Sequence, residues 1–314
     1  MRRLLTVGLL PGGLVVVCLW ALVRAGSFTG VGDWSRVAPR DHQDMAVTVV
    51  VLVSGTLLLT ALLQPFQVRA VRVLEGYWDR WPMTSGPAGV LIEVQRRRWE
   101  AVRGQAERPA PDAAARRVRA DARRRLAATP SVDVLLPTAL GNALRAGELS
   151  AGERYGLSTL ASWPRIYMQV SDRMSDTLRS ARDALDSAVN LCWSLLATAV
   201  LLVVAGYDES GLRWLAAGAL LLAAVAYKGA VIVAQAYSGL MHVVYDLHRF
   251  DLLDALHHPL PADDETERDA FEEATARFAG RALRPLVYDH TRERSHADDA
   301  DHRAHAEDMD RQTD

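Results

Sequence analysis

The sequence predicts an all-α, polytopic membrane protein with four transmembrane helices and a cytoplasmic helical module. This prediction rests first on four apolar runs of 18 to 20 residues each, at 4–23, 45–63, 188–205 and 214–233. A helix rises about 1.5 Å per residue, so each run is long enough to cross a hydrocarbon core of about 30 Å. The last two runs are only eight residues apart and therefore predict a helical hairpin.

The charges that flank these runs predict the orientation. Arginine favours the cytoplasmic side of a membrane when it lies within about 15 to 20 residues of a span. The flanking arginines before the first run, after the second and before the third are Arg2, Arg3, Arg69, Arg72, Arg179 and Arg182. The link between the last two runs carries Asp208 and Glu209 against Arg213. Both termini are therefore predicted to be cytoplasmic, although the 24–44 loop also holds three arginines, together with three aspartates.

The polar parts of the chain differ in charge. Residues 65–187 contain 20 arginines and 14 acidic residues, whereas residues 263–314 contain 16 acidic residues and eight arginines. We therefore expect two transmembrane helices in 1–64, a basic cytoplasmic insert in 65–187, the transmembrane hairpin in 188–236, cytoplasmic helices in 237–288 and a disordered, acidic, histidine-rich tail in 289–314. One hypothesis is that the tail docks on the basic segment 96–125 and masks it. Because Lys228 is the only lysine, the composition is typical of a GC-rich bacterial genome and indicates a bacterial plasma membrane.

The first two runs contain residues with alternative interpretations. Pro11 followed by two glycines predicts a bend, which serves either packing or a hinge. The run also resembles a signal peptide, but no clean small-x-small cleavage site follows, so a retained anchor is favoured. In the second run Thr48, Thr56 and Thr60 share one face. These hydroxyls are expected to bond within their helix or to a neighbour, the alternative being the lining of a permeation pathway.

The segment after the second run is predicted to lie at the membrane surface. Residues 66–81 form a predicted helix that ends in Tyr77, Trp78 and Trp81, aromatic side chains that favour the headgroup region. Residues 82–89 contain two prolines and two glycines and predict a turn.

Two basic helices are predicted next, over 90–108 and 113–128, with Asp112 as the N-cap of the second. Each has a predicted apolar stripe, formed by Ile92, Trp99, Val102 and Ala106 in the first and by Ala115, Val118, Ala122 and Leu126 in the second. Between residues 96 and 125 there are 11 arginines and four acidic residues. Such a segment beside a bilayer suits anionic lipid headgroups or an acidic partner, while an ordinary solvated face is the alternative and nucleic acid is unlikely without interleaved aromatic residues. The candidate contact residues are Arg96, Arg97, Arg98, Arg103, Arg116, Arg117, Arg119, Arg123, Arg124 and Arg125.

The block 134–167 has the least generic composition in the chain. Thr138 is predicted to cap a helix, three glycines allow turns, and Trp163-Pro164 predicts an extended break before a helix that begins at Ser171 or Asp172. Part of this block can assemble an anion pocket, and the alternative is a network of ion pairs and turns. The candidate residues are Asn142, Arg145, Glu148, Arg154, Tyr155, Trp163 and Arg165.

These motifs also carry a resemblance. Residues 74–78 read Leu-Glu-Gly-Tyr-Trp, residues 136–148 read Leu-Pro-Thr-x-Leu-Gly-Asn-x-Leu-Arg-x-x-Glu, and Tyr-Gly-Leu and Trp-Pro-Arg follow at 155–157 and 163–165. In this combination the chain resembles a group of uncharacterised integral membrane proteins from actinomycetes, over about 62–261. The resemblance implies placement in a membrane and implies no activity.

The fourth run carries alanines at alternating spacings of three and four, at Ala216, Ala219, Ala223, Ala226 and Ala230. Such a stripe allows close backbone approach, so it is predicted to pack on another helix of the same chain or of a second copy. Lys228 is expected to extend its side chain to the membrane surface. Beyond the span, His242 shares a face with Asp246, as His258 does with Asp254, but a metal site built from one helix is not expected.

No catalytic constellation, cofactor motif or metal-ligand spacing is found, so the sequence favours a non-enzymatic role. The predicted function is a membrane scaffold or accessory protein whose basic helices contact anionic lipid or an acidic partner. The alternative is an oligomeric pore or transporter for a small solute or ion, in which the threonine-bearing second span lines the pathway. An enzyme has the least support, because no nucleophile and base can be named.

Overall fold

The computed structural model describes residues 8–78, 82–207 and 209–281, and this part of the chain is helical, without a β-strand. The all-α class is confirmed. The α-helices are α1 Leu10–Ala25, α2 His42–Leu63, α3 Gln67–Glu75, α4 Pro82–Glu107, α5 Ala113–Ala127, α6 Ala139–Glu148, α7 Thr159–Ile166, α8 Asp172–Ala205, α9 Ser210–Ala255 and α10 Asp264–Phe278.

Three helical stretches in the described residues are long and apolar enough to cross a membrane. They are α8, α9 and the stretch His42–Glu75, in which α2 continues through a short 3-10 turn into α3. Helix α1 is apolar but has only 16 residues, and the first residues of the predicted 4–23 run lie outside the described part of the chain. These long apolar helices indicate a membrane protein.

The chain forms two compact units. The first comprises Met1–Glu148 and Asp176–Leu240, and the second comprises Leu149–Ser175 and Met241–Asp314. Residues 149–175 of the predicted 65–187 insert thus belong with the C-terminal segment, while the rest of the insert belongs to the first unit.

In the first unit, α1 and α2 pack through small residues. A Cβ on Gly12 would lie 3.0 Å from the Thr60 hydroxyl, and a Cβ on Gly55 would lie 3.1 Å from a methyl carbon of Val16. The hydroxyl of Thr56 donates to the Leu52 carbonyl at 2.7 Å, within its own helix. Of the predicted threonine face, Thr60 therefore contacts the neighbouring helix and Thr56 bonds to its own backbone, as expected of packing residues.

The links at one end of this unit are bound to each other. The Glu209 carboxylate, between α8 and α9, accepts the Gly32 N–H and, at 3.2 Å, the indole N–H of Trp34. Arg24 at the end of α1 forms an ion pair with Asp44 at the start of α2. The α1–α2 link and the α8–α9 link therefore lie at the same end of the first unit.

Two apolar clusters form the core of the first unit. One joins Leu22 of α1 to Ala199 and Leu202 of α8 and to Ala216 and Ala219 of α9. The other joins α3, α6, α8 and α9 through Val71, Leu140, Ala143, Leu144, Leu185, Val189, Ala230, Val231 and Ala234. Helix α6 is thus a core element of this unit.

The second unit is built around Tyr245, whose side chain is fully buried. Its hydroxyl donates to the Thr159 carbonyl at 3.0 Å and shares a hydrogen bond of 2.8 Å with Ser162. Phe271 of α10 is also fully buried, and α10 begins with a capping box between Asp263 and Thr266. This is a small helical core with polar bonds at its centre.

Two local predictions are wrong. The predicted turn at 82–89 is the first part of α4, which contains Pro87. The predicted break at Trp163-Pro164 lies inside α7. The carbonyl that loses its bond to Pro164 belongs to Leu160, an exposed residue, so water can bond to it and the helix tolerates the proline.

Candidate functional site

Helices α4 and α5, residues 82–127, form the basic hairpin. Their facing sides are the predicted apolar stripes: Ala106 and Ala122 are buried, and Trp99 and Leu126 are half-buried. Val118 of the α5 stripe is the exception, because 56% of it is exposed. Asp112 caps α5 by accepting the Ala115 N–H at 2.6 Å, as predicted.

Five of the ten candidate arginines of the basic hairpin form ion pairs with acidic residues of their own helix. The pairs are Arg96–Glu100 at 3.5 Å, Arg97–Glu93 at 3.0 Å, Arg103–Glu107 at 2.7 Å, Arg124–Asp121 at 3.3 Å and Arg125–Asp121 at 2.8 Å. All are largely exposed and join residues three or four apart, so each stabilises the hairpin by only about 0.3 to 0.5 kcal/mol.

The other five candidates have no ion-pair partner among the described residues. Arg116 donates to the Pro111 carbonyl at 3.4 Å, while the rest of this set consists of Arg98, Arg117, Arg119 and Arg123. Residues 82–127 hold 11 arginines and five acidic residues, a net charge of +6. Guanidinium groups without an acidic partner are free to meet phosphate or carboxylate from outside the chain.

The first part of the 134–167 block forms the hydrogen-bonded contact between α3 and α6. The Asn142 side chain accepts the Leu136 N–H at 2.7 Å and donates to the Leu136 carbonyl at 3.0 Å. Thr138 caps α6 by accepting the Gly141 N–H at 3.1 Å, as predicted, and its hydroxyl donates to the Glu75 carbonyl at 2.7 Å. These bonds satisfy the backbone groups that a buried helix start would leave unpaired.

Two glycines explain why the motifs at 74–78 and 136–148 occur together. A Cβ on Gly141 would lie 1.9 Å from the Glu75 carbonyl oxygen, so only glycine fits there. Gly76 has φ of 90° and ends α3 against Pro137 and Thr138. Gly76 in the first motif and Gly141 in the second thus lie on the two sides of one close backbone contact between α3 and α6.

Charged groups surround the end of α6. Burial raises the pKa of the Glu148 carboxyl, while the guanidinium groups of Arg145, Arg182 and Arg72 oppose the rise. Burial also raises the pKa of the Tyr77 phenol, and the nearby carboxylates of Glu148 and Glu75 add to that rise. Arg145 and Glu148 therefore belong to a mixed-charge cluster drawn from α3, α6 and α8.

The remaining candidates of this block belong to the second unit. Arg154 forms an ion pair with Asp246 at 2.6 Å and donates to the His242 carbonyl at 3.2 Å. Tyr155 donates to the same Asp246 carboxylate, and burial, followed by this hydrogen bond, raises the pKa of its phenol. The ring of Tyr155 lies 4.3 Å from the guanidinium carbon of Arg249.

Trp163 and Arg165 also have partners within the second unit. Trp163 stacks on Tyr245, with 6.2 Å between ring centroids. Arg165 places its guanidinium carbon 4.1 Å from the ring centre of Phe278 and donates to the Ala161 carbonyl at 2.7 Å. The seven candidates are thus divided between two units, and each group has partners within its own unit.

Two contacts in the second unit were not predicted from the sequence. Arg249 pairs with Glu267 at 2.8 Å, and both side chains are less than 20% exposed. His242 shares a hydrogen bond of 3.0 Å with Ser150. The first pair joins residues 18 positions apart and the second joins residues 92 positions apart, so the spacing within one helix signals neither.

No group of three His, Cys, Asp or Glu side chains that could hold a metal ion occurs within residues 8–78, 82–207 and 209–281. His248 bonds to Asp251 at 2.8 Å, and Asp246 is engaged by Arg154 and Tyr155. The histidines of the 289–314 tail lie outside the described residues, and so does the tail that the hypothesis places on segment 96–125.

The alanine stripe of α9 packs within the chain. Ala216, Ala219, Ala223 and Ala230 are buried and Ala226 is half-buried. The first two share a cluster with α8 and α1, and Ala230 lies in the cluster that contains α6. These alanines thus contact other helices of the same chain.

Comparisons with protein-family models, with curated proteins and with solved structures found no match.

Proposed function

We propose that the protein is an integral membrane scaffold or accessory protein, without enzymatic activity, whose basic hairpin binds anionic lipid. In this proposal α1, α2, α8 and α9 cross a bacterial plasma membrane, both termini are cytoplasmic, and the basic hairpin lies on the cytoplasmic side. Membership of the actinomycete group of membrane proteins is part of the same proposal.

The positions of the links support four spans. The α1–α2 link meets the α8–α9 link through Glu209, which accepts hydrogen bonds from Gly32 and Trp34. Two antiparallel helical pairs whose links share one end leave the other four helix ends together. On that other side the Trp193 indole of α8 donates to the Ala70 carbonyl of α3 at 3.1 Å. The flanking arginines favour the cytoplasm for this second side.

The observation that carries the lipid proposal is the set of arginines without ion-pair partners in the described structure: Arg98, Arg117, Arg119 and Arg123. An arginine near an anionic surface contributes about 1 kcal/mol of attraction. Only residues 64–81 separate the hairpin from the end of a membrane-crossing helix, and in this proposal its arginines lie near the headgroups. Anionic lipid thus supplies the partners that the described chain does not.

The test compares two variants that remove four positive charges each. In one, the four arginines without partners, 98, 117, 119 and 123, are replaced by glutamine. In the control, the paired arginines 96, 97, 103 and 125 are replaced by glutamine. Full-length protein is reconstituted in nanodiscs of phosphatidylcholine with or without phosphatidylglycerol, and amide hydrogen exchange of residues 82–127 is measured.

Phosphatidylglycerol should slow exchange of the hairpin in the wild type and, less strongly, in the control, and 0.5 M salt should remove most of the effect. The variant that lacks Arg98, Arg117, Arg119 and Arg123 should lose the effect, because up to about 4 kcal/mol of attraction is removed. Identical exchange of the wild type in both lipids at low salt would contradict the proposal.

A further inference from the structure

Helix α4 has a second apolar face that the described chain leaves uncovered. Pro87, Val90, Leu91 and Val94 recur at helical spacing and form one stripe, with Arg98 one turn further along it. The exposed fractions are 67% for Val90, 37% for Leu91 and 38% for Val94.

The covered face of α4 points elsewhere. Ala88 and Ala106 are buried, Trp99 is half-buried, and Gln95 donates to the Pro137 carbonyl at 3.4 Å. These residues lie about 100° around the helix from the exposed stripe. The packing of α4 on its own chain therefore does not account for the apolar residues at 90, 91 and 94.

The chain holds this stripe close to the membrane. Only residues 76–81 separate α3 from α4, and six residues span at most about 22 Å. Helix α3 itself exposes Val68 and Val73 immediately after the α2 span. The Trp78 indole donates to the Val73 carbonyl at 2.7 Å, and Thr84 of α4 donates to the Trp78 carbonyl at 2.5 Å. The first turn of α4 is thus bound to the segment that leaves the bilayer.

Along α4, apolar residues come first and arginines follow, which is the order expected of a helix that runs from the acyl chains towards the lipid phosphates. The first half of α4, residues 82–94, contains one acidic residue and no arginine, and the second half begins with Arg96, Arg97 and Arg98. Arg98 is on the stripe and has no ion-pair partner in the described chain. An apolar face that ends in an unpaired arginine fits the boundary between acyl chains and phosphates.

We propose that α4 is an interfacial helix whose Pro87, Val90, Leu91 and Val94 insert into the acyl–headgroup boundary, with Arg98 at the level of the lipid phosphates. This inference rests on the proposed lipid contact of the basic hairpin and specifies which face makes it. Insertion of apolar side chains does not need anionic lipid, whereas the arginine contact does, so the two proposals fail in different experiments.

The test places single cysteines on neighbouring positions of α4. In full-length protein with Cys18→Ala and Cys192→Ala, the sites are Val90→Cys and Val94→Cys on the stripe and Gly89→Cys as the control. Gly89 is exposed, has open space around a Cβ, and lies about 100° around the helix from Val90. Each cysteine is labelled with an environment-sensitive fluorophore, and quenching by doxyl-labelled lipid is measured in phosphatidylcholine nanodiscs.

The labels at 90 and 94 should be quenched about threefold more than the label at 89, and 0.5 M salt should leave the ratio unchanged because the contact is apolar. Equal quenching at all three sites, or none at 90 and 94, overturns the inference. Pyrene excimer emission from Val94→Cys, which reports a second copy on the stripe, also overturns it. Quenching in pure phosphatidylcholine supports insertion even if phosphatidylglycerol has no effect on hydrogen exchange, an outcome that would contradict the lipid role of the arginines alone.

Discussion

Helix α6 and the basic hairpin differ in how far along the chain their partners lie. The start of α6 is held by bonds to residues distant in sequence, for example Thr138 to Glu75 and the Leu140 N–H to the Tyr227 hydroxyl at 3.2 Å. In the basic hairpin, by contrast, the ion pairs join residues only three or four positions apart. The first part of the 134–167 block therefore holds the first unit together, whereas the basic hairpin leaves guanidinium groups available for other molecules.

Substitution of one glycine in each region gives the largest contrast. Gly141→Ala places a Cβ within 1.9 Å of the Glu75 carbonyl oxygen and should destabilise the protein by more than about 3 kcal/mol, because backbone on both sides has to move. Gly104→Ala in α4 meets open space and should stabilise its helix by about 0.5 to 1 kcal/mol.

Thermal unfolding of the detergent-solubilised protein measures both substitutions. A large loss of Tm for Gly141→Ala together with a small gain for Gly104→Ala supports the comparison. If the two variants unfold at the same temperature, α6 is not the tightly packed element described here.

Removal of one side-chain amide should have an intermediate effect. Asn142→Ala leaves the buried N–H and carbonyl of Leu136 without their partner and should cost about 2 kcal/mol. Gln105→Ala, on the exposed surface of the hairpin, should change stability by less than about 0.5 kcal/mol. Denaturant titrations followed by tryptophan fluorescence compare the two, and an Asn142→Ala midpoint equal to that of Gln105→Ala would contradict the role of this amide.

Features that depend on neighbours in sequence were predicted well. The caps at Asp112 and Thr138, the start of α8 at Asp172 and the long apolar helices follow from local pattern, hydropathy and capping chemistry. The apolar stripes of α4 and α5 were also found, because a helix repeats every 3.6 residues.

Features that depend on distant partners were not predicted. Nothing near Gly141 in the sequence indicates that it packs on the carbonyl of Glu75, and the partner of Arg154 is a residue 92 positions away. The sequence also misplaced the start of α4, because prolines and glycines predict a turn locally while this segment is helical in the folded chain. The residues of the candidate anion pocket lie within 24 positions of each other in the sequence, and their division between two units is likewise not signalled by any local pattern.

The smallest expected effect is on the pH dependence of stability, which compares a buried carboxyl of α6 with an exposed carboxyl of the basic hairpin. The ordinary pKa of a glutamate side chain here is 4.5, and burial raises the pKa of Glu148 above it. The folded protein therefore binds this proton more tightly than the unfolded chain does. The stability contributed by the protonated carboxyl is fully present below pH 4.5 and is lost as the pH rises through the raised pKa.

Glu148→Gln should remove this part of the pH dependence, because the amide is neutral throughout. The matched control is Glu107→Gln in the basic hairpin, whose side chain is 64% exposed and pairs with Arg103 at the helix surface. Tm measured between pH 4 and pH 8 should fall less steeply for Glu148→Gln than for the wild type, and the control should follow the wild type. If Tm of Glu148→Gln falls with pH as steeply as that of the wild type, the Glu148 carboxyl is as well solvated as the carboxyls of the basic hairpin. The difference in burial between α6 and the hairpin would then not include the charged end of α6.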